Sequence, residues 1–181
     1  MSKLAFIFPG QGAQKAGMGK DFYENSEAAR SFFDQAQKIL DFDLKEMCFG
    51  EHEELNLTEY TQPCMVSVCL AIVQELKKRG INPDITAGLS LGEYAAVAAA
   101  GGMNELNAIK LVRRRGILMQ NTVPTGEGAM AAVLGLDAKK IEEILESFEN
   151  VWIANYNCPG QIVITGLTNE VQQASLALKE A

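Results

Sequence analysis

Residues 85–103, ITAGLSLGEYAAVAAAGGM, constrain this chain more than any other stretch, because a β-branched run leads into Gly88-Leu89-Ser90-Leu91-Gly92 and then into an Ala-rich helical segment. That order is the signature of a nucleophile elbow. A serine where a strand turns sharply into a helix is forced into a strained backbone conformation, and flanking glycines let the two elements pack closely. The helix N-terminus adds its dipole and free N–H groups, which favour the negative charge that develops when an acyl carbonyl is attacked. Five residues of G-x-S-x-G also fit an ordinary Gly-rich turn, so the weight lies in their setting between strand and helix.

The 181 residues suffice for a core of ordinary size in one domain or one and a half. A hydrophobic content of 48% and mixed charge indicate a globular protein. A net charge of −7 argues against nonspecific binding to nucleic acid or an anionic membrane, since phosphate binding needs a positive field. The longest apolar stretch, Tyr94 to Met103, is about half the ~20 residues of a membrane span, and the first residues lack a signal-peptide layout. A cytoplasmic protein is expected. Cys48, Cys64, Cys69 and Cys158 form no C-x-x-C pair and only one histidine could join them, so reduced structural thiols and no metal site are expected.

Leu4 to Phe8 reads as a buried first strand, closed by Pro9 and the loop Gly10-Gln11-Gly12-Ala13-Gln14. A phosphate loop is excluded by spacing: Gly19-Lys20 would need a glycine where Gln14 stands, and Asp21 replaces the Ser or Thr of a Walker motif. The dinucleotide pattern fails at Lys15. Ala29, Phe32, Phe33, Ala36, Ile39 and Leu40 recur at helical spacing with Ser26 as N-cap. Pro63 suits a first helical position for the segment Cys64 to Leu76, closed by Gly80. After the elbow helix, another runs from about Asn104 to Thr122.

Val123 to Gly128 has linker composition, which divides the chain into residues 1–123 and 124–181. Beyond it the pattern is strand Ala129–Leu136, an Asp137-capped helix to about Phe148, strand Val151–Tyr156, a turn at Asn157-Cys158-Pro159-Gly160, strand Gln161–Thr165 and a helix from Thr168. This βαββα order is a ferredoxin-like unit short of its last strand, which leaves a normally central strand as an edge.

In the helix after the elbow, Leu111, Val112, Leu118 and Met119 define an apolar stripe. Arg115 lies three or four residues from all four, Arg114 at its edge, and Arg113 shares it least. An arginine on such a face needs an anion, supplied either by a protein Asp or Glu or by a ligand carboxylate that its planar fork can grip.

These pieces resemble one family, the malonyl-CoA:acyl carrier protein transacylases and related acyltransferase domains of fatty acid and polyketide synthesis. The matching segments are Phe8 to Gln14, Thr61-Gln62-Pro63, Gly88 to Tyr94, Arg115-Gly116 with Met119-Gln120, Gly128 to Ala132, and Asn155 to Gln161, in the family's order across nearly the whole chain. The resemblance implies an α/β fold: an α/β-hydrolase-like large subdomain, incomplete here, with the ferredoxin-like small subdomain inserted. It makes Ser90 the nucleophile that takes malonyl from coenzyme A, with the oxyanion held by the N–H groups of Leu91 and Gln11. Arg115 would grip the malonyl carboxylate, Gln62 would line the pocket, and Asn155 and Asn157 would lie near the substrate. Leu91, where some polyketide relatives carry Gln, favours malonyl over branched units.

The implied partners are malonyl-CoA and an acyl carrier protein, whose phosphopantetheine thiol collects the acyl group; no permanently bound cofactor is implied. The carrier is acidic, so Lys110, Arg113 and Arg114 are candidates for a facing basic patch, or equally a solvated helix face. The chain departs from the family in two places. Leu89 stands where members usually carry His, which weakens a substrate contact. The family's general base is a histidine in a later segment, whereas His52 here sits in the acidic, loop-like Glu51 to Glu54 and reads as a solvated surface residue. The chain is therefore expected to be the N-terminal part of an acyltransferase, nearly inactive alone. A serine hydrolase or thioesterase and a noncatalytic acyl-binding fragment are the rival readings.

Overall fold

The structure, a computed structural model, describes residues 3–124 and 126–181. Thr125, within the expected linker, lies outside the described residues. The chain is mixed α/β and falls into two compact units, one ending at Asn121 and the other starting at Thr122.

In the first unit, β1 (Ala5–Phe8) and β2 (Ile85–Gly88) pair in parallel, Ala5 opposite Ile85 and Phe8 opposite Gly88. Helix α5 (Leu91–Ala99) covers one face of this ribbon, where Thr86 Oγ1 donates to the Ala96 carbonyl at 3.0 Å. Phe6 and Phe8 join the core on that face. Of the first strand, expected to be buried, Phe8 is buried, whereas Ile7, and Ile85 of β2, lie on the other face and are 79% and 64% exposed.

The core is helical. α2 (Glu27–Gln37), α3 (Leu44–Phe49), α5 and α6 (Glu105–Gln120) pack on the 21-residue α4 (Thr58–Lys78), and α1 (Lys20–Asn25) packs on α2, with Phe33, Leu44, Leu70, Ile109 and Val112 fully buried. Side-chain caps fix the helix starts: Ser26 accepts from the Ala29 N–H, Asp43 from Lys45 and Glu46, and Asn104 from Asn107. α2 stops at Gln37, two residues short of Ile39, yet Ile39 and Leu40 still pack partly buried on the core. At the far end of α4, Gly80 takes φ +76, and the Gly80 and Ile81 N–H groups bond back to Lys77 and Leu76.

Pro63 is not a first helical residue, because α4 begins five residues earlier, at Thr58. A proline inside a helix leaves the carbonyl four residues back without its N–H. That carbonyl, of Glu59, accepts instead from Arg113 Nη1 at 2.8 Å.

The second unit has the order β3 (Gly128–Leu134), α7 (Ala138–Leu145), β4 (Val151–Cys158), β5 (Gln161–Leu167), α8 (Thr168–Glu180). Its sheet is antiparallel in the order β3-β5-β4, so β3 and β4 are both edges. Val133, Ile162 and Ile164 pack against Ile141 of α7 and Val171 and Ala174 of α8. Asp137 caps α7 by accepting from the Lys139 N–H. The helix ends at Leu145, short of the expected Phe148, which nonetheless packs on the core. β4 runs through Asn157 and Cys158, so the expected four-residue turn shrinks to Pro159-Gly160: proline presets its own φ, and Gly160 takes φ +79.

Candidate active site

Ser90 stands between the end of β2 and the start of α5 with φ 49 and ψ −99, the one non-glycine residue at positive φ among the described residues. A backbone held there costs of order 1–3 kcal/mol, so the surroundings must impose it. They do so by contact between main chains. A Cβ on Gly88 would sit 2.1 Å from the Gly92 carbonyl carbon, and one on Gly92 would sit 2.3 Å from the Phe8 carbonyl oxygen. Leu91 anchors the first turn of α5 in the core, while Leu89 and Ser90 remain exposed.

The loop after β1 touches this elbow. The Leu89 N–H donates to the Phe8 carbonyl at 3.2 Å, and a Cβ on Gly10 would lie 2.9 Å from the Leu89 carbonyl oxygen. Next to Gly10, Gln11 donates through Nε2 to Thr58 Oγ1 at 3.1 Å and accepts at Oε1 from Gln62 Nε2 at 3.4 Å. Gln62 is fully buried, reaches Met119 Sδ at 3.3 Å, and its Oε1 has no partner among the described residues. Thr58 in turn receives Gln120 Oε1 on its own N–H at 2.9 Å. Among the described residues, no backbone carbonyl outside the regular hydrogen bonding of the helices and strands takes the Gln11 or the Leu91 N–H.

The arginines of α6 exchange roles relative to the sequence reading. The buried positions are Ala108, Ile109, Val112 and Gly116; Leu111, Leu118 and Met119 are 44–55% exposed. The stripe turned because α6 meets α4 through its smallest residue: a Cβ on Gly116 would be 2.7 Å from the Thr58 carbonyl oxygen. Arg113 is therefore the arginine turned into the protein. It grips Asp41 with Nε and Nη2, both at 2.9 Å, reaches Glu59 Oε2 at 3.1 Å, and lies over the rings of Phe42 and Tyr60. It is thus unavailable for a basic surface patch, whereas Lys110 and Arg114 are exposed.

Arg115 is half-buried and has no carboxylate partner among the described residues. Its guanidinium lies 5.5 Å from the ring centroid of Tyr94, one turn of α5 beyond Ser90. Of the two anions open to it, a protein carboxylate is absent from its described surroundings.

His52, expected as a solvated surface residue in a loop, lies in a loop and keeps 31% of its side chain exposed. It precedes a 3-10 helix at Glu53–Asn56, its Nε2 sits 3.0 Å from Glu46 Oε1, and its ring fills the space beside Gly50. Asn155 and Asn157 belong to the second unit, where they are exposed positions of β4 on either side of Tyr156, next to shifts in the β4–β5 register. All four cysteines are free thiols, and burial pushes that of Cys69 up to about 11. No group of His, Cys, Asp and Glu among the described residues could hold a metal ion, and none of their helices is long and apolar enough to cross a membrane.

Sequence reasoning missed Thr58, Gln14 and Tyr94. Thr58 and Gln62 are one helical turn apart, as are Ser90 and Tyr94, so the spacing carried a signal once α4 and α5 were placed correctly.

A strained serine at a strand-to-helix turn, with a glycine-rich loop against it, is the geometry of a nucleophile elbow. The chain belongs to the acyl transferase domain family, whose sequence model matches residues 5–181. Among curated relatives it is 47% identical over 185 aligned positions to the malonyl CoA-acyl carrier protein transacylase of Bacillus subtilis (strain 168), with 99% of this chain covered. The chain spans 58% of that relative's length. Among solved structures it is similar to the malonyl CoA-acyl carrier protein transacylase of Clostridium perfringens, at 43% identity and a TM-score of 0.87 over 99% of this chain and 58% of that one. A malonyl-transacylase in complex with its type II PKS acyl-carrier protein matches at 38% identity and a TM-score of 0.89, over 99% of this chain and 60% of that one.

Proposed function

We propose that Ser90 takes a malonyl group from coenzyme A as an ester and passes it to the phosphopantetheine thiol of an acyl carrier protein. The observation that carries this reading is the guanidinium of Arg115, without a protein carboxylate among the described residues and lying on Tyr94 one helical turn from Ser90. A substrate with a thioester at one end and a carboxylate at the other meets both groups, whereas a simple acyl ester leaves the guanidinium unused. The names of the relatives support the same substrate and partner.

In this mechanism Ser90 Oγ attacks the thioester carbonyl, the C–S bond breaks, and coenzyme A leaves as the thiol. The free N–H groups of Gln11 and Leu91 hold the developing oxyanion, one from the loop and one from the start of α5. The bidentate fork of Arg115 binds the malonyl carboxylate. The carrier thiol then attacks the ester, which makes the kinetics ping-pong. His52 is bonded to Glu46, and the family resemblance gives the proton of Ser90 to a histidine of a later segment.

We read residues 1–123 as the first part of an α/β-hydrolase-like subdomain and 124–181 as a ferredoxin-like one that carries Asn155 and Asn157. Leu89 borders the thioester. The protein acts in the cytoplasm, without a resident cofactor, metal or nucleic acid.

The test is intact-mass analysis of the full-length protein with malonyl-CoA. Wild type gains one malonyl group, S90A gains none, and addition of carrier protein removes the adduct. An adduct that survives S90A, or one lost to water as fast as to the carrier, overturns the transferase reading and favours a hydrolase.

A further inference from the structure

The loop that carries Gln11 holds a second glutamine, and both ends of its side chain are occupied. Gln14 Oε1 accepts the Gly12 N–H at 2.8 Å, and Gln14 Nε2 donates to Asn56 Oδ1 at 3.1 Å. Asn56 ends the 3-10 helix two residues before Thr58, the residue that receives the Gln11 side chain. Gln11 and Gln14 are thus tied to neighbouring positions of one segment. The residue between these ties most in need of restraint is Gly12: its φ is +107 and a Cβ there would meet nothing within 4 Å. The bond from its N–H to the Gln14 carbonyl is the restraint on that peptide plane seen among the described residues.

We propose that Gln14 is a positioning residue that aims the Gln11 N–H at the oxyanion, a role that rests on the acyl-transfer reading of Ser90. Two peptide planes flank the Cα of Gln11. The upstream one is held where Gly10 packs on Leu89, and the downstream one is held by the bond from the Gly12 N–H to Gln14. With both fixed, the Gln11 N–H keeps one direction without reorganising as the oxyanion forms. Gln14 also occupies the Gly12 N–H, which removes a competing donor next to the site. A donor that is displaced rather than deleted loses stabilisation in the transition state and leaves ground-state binding alone.

The test measures single-turnover acylation of the full-length protein by malonyl-CoA and by acetyl-CoA in Q14M, N56A and N56D. Q14M keeps the length of the side chain and loses both hydrogen bonds. Its acylation rate should fall about 10- to 100-fold for both substrates, with the concentration dependence on malonyl-CoA unchanged. N56A should show a smaller loss of the same kind, and N56D, which retains an acceptor for Gln14 Nε2, should recover it. A Q14M rate within two-fold of wild type, or a loss confined to substrate affinity, overturns the proposal. If Q14M fails to fold, N56A decides: a wild-type rate in N56A, or a loss that N56D does not recover, overturns it. S90A in the same assay keeps the two readings apart, since acylation that persists without Ser90 removes the parent reading, whereas a dead S90A beside a wild-type Q14M removes only this one.

Discussion

Arg113 and Pro63 meet at one carbonyl: the Glu59 oxygen that Pro63 cannot bond from four residues on is held at 2.8 Å by Arg113 Nη1. The Glu59 carbonyl that Pro63 leaves open is thereby an acceptor that fixes α6. Because successive helical residues turn by about 100°, Arg115 points some 200° away from Arg113. Locking one arginine inward sends the other toward Tyr94.

Replacing Arg113 with Met should lower unfolding stability in denaturant by about 1–3 kcal/mol, since it strips hydrogen bonds from Glu59 and leaves that partly buried carbonyl bare. R113K should not restore it, because an ammonium cannot span Asp41 in a fork and reach the Glu59 carbonyl together.

The same pair sets an acid limb. The hydrogen bond from Arg113 holds the Asp41 carboxyl below its ordinary value of 3.8, against the opposing effect of burial. A carboxyl whose pKa is lower folded than unfolded stabilises fully above the unfolded value and loses that contribution as pH falls through the folded one. Thermal melts between pH 2 and 5 should show R113M with a flatter dependence than wild type.

Arg115 should discriminate between acyl groups. R115A is expected to slow acylation by malonyl-CoA by an amount equivalent to about 2–5 kcal/mol, the usual effect of removing one partner of a buried charge pair, while acetyl-CoA is affected far less. Equal losses for the two substrates would make the arginine structural.

The elbow glycines tolerate nothing larger. G88A would place a methyl 2.1 Å from main chain and should cost about 4 kcal/mol or more, or prevent folding. G12A meets no neighbour, and its destabilisation should be confined to the strain of φ +107.

H52A should acylate Ser90 at the wild-type rate and with the same pH profile in the full-length protein, because the contacts of His52 are Glu46 and Gly50. A lowered rate would place this histidine in the proton path.

The elbow, the caps at Ser26 and Asp137 and the strand order of the second unit were legible because each follows from local chemistry: a glycine spacing, a short polar side chain before a helix, a two-residue period. The arginines were not, since hydrophobicity alone put Leu111, Leu118 and Met119 inside. What decides the matter is a long-range approach, Gly116 against Thr58, and a glycine leaves no trace in an apolar stripe. Pro63 misled for a related reason. Its usual place is the first turn of a helix, and only a donor from a residue fifty positions later lets α4 run through it. The exposed face of β1 escaped because Leu4 to Phe8, apolar throughout, has no period to read.

Gly92 rests on the Phe8 and Pro9 carbonyls, so β1, the elbow and the start of the loop meet through main chain alone. With no side chain at that junction to pare back, room for a bulkier acyl chain cannot be made there. Redirecting such a scaffold toward larger thioesters is a matter of trimming the side chains that border the site, with Leu89, Gln62 and Met119 the places to begin, while the main chain stays as it is.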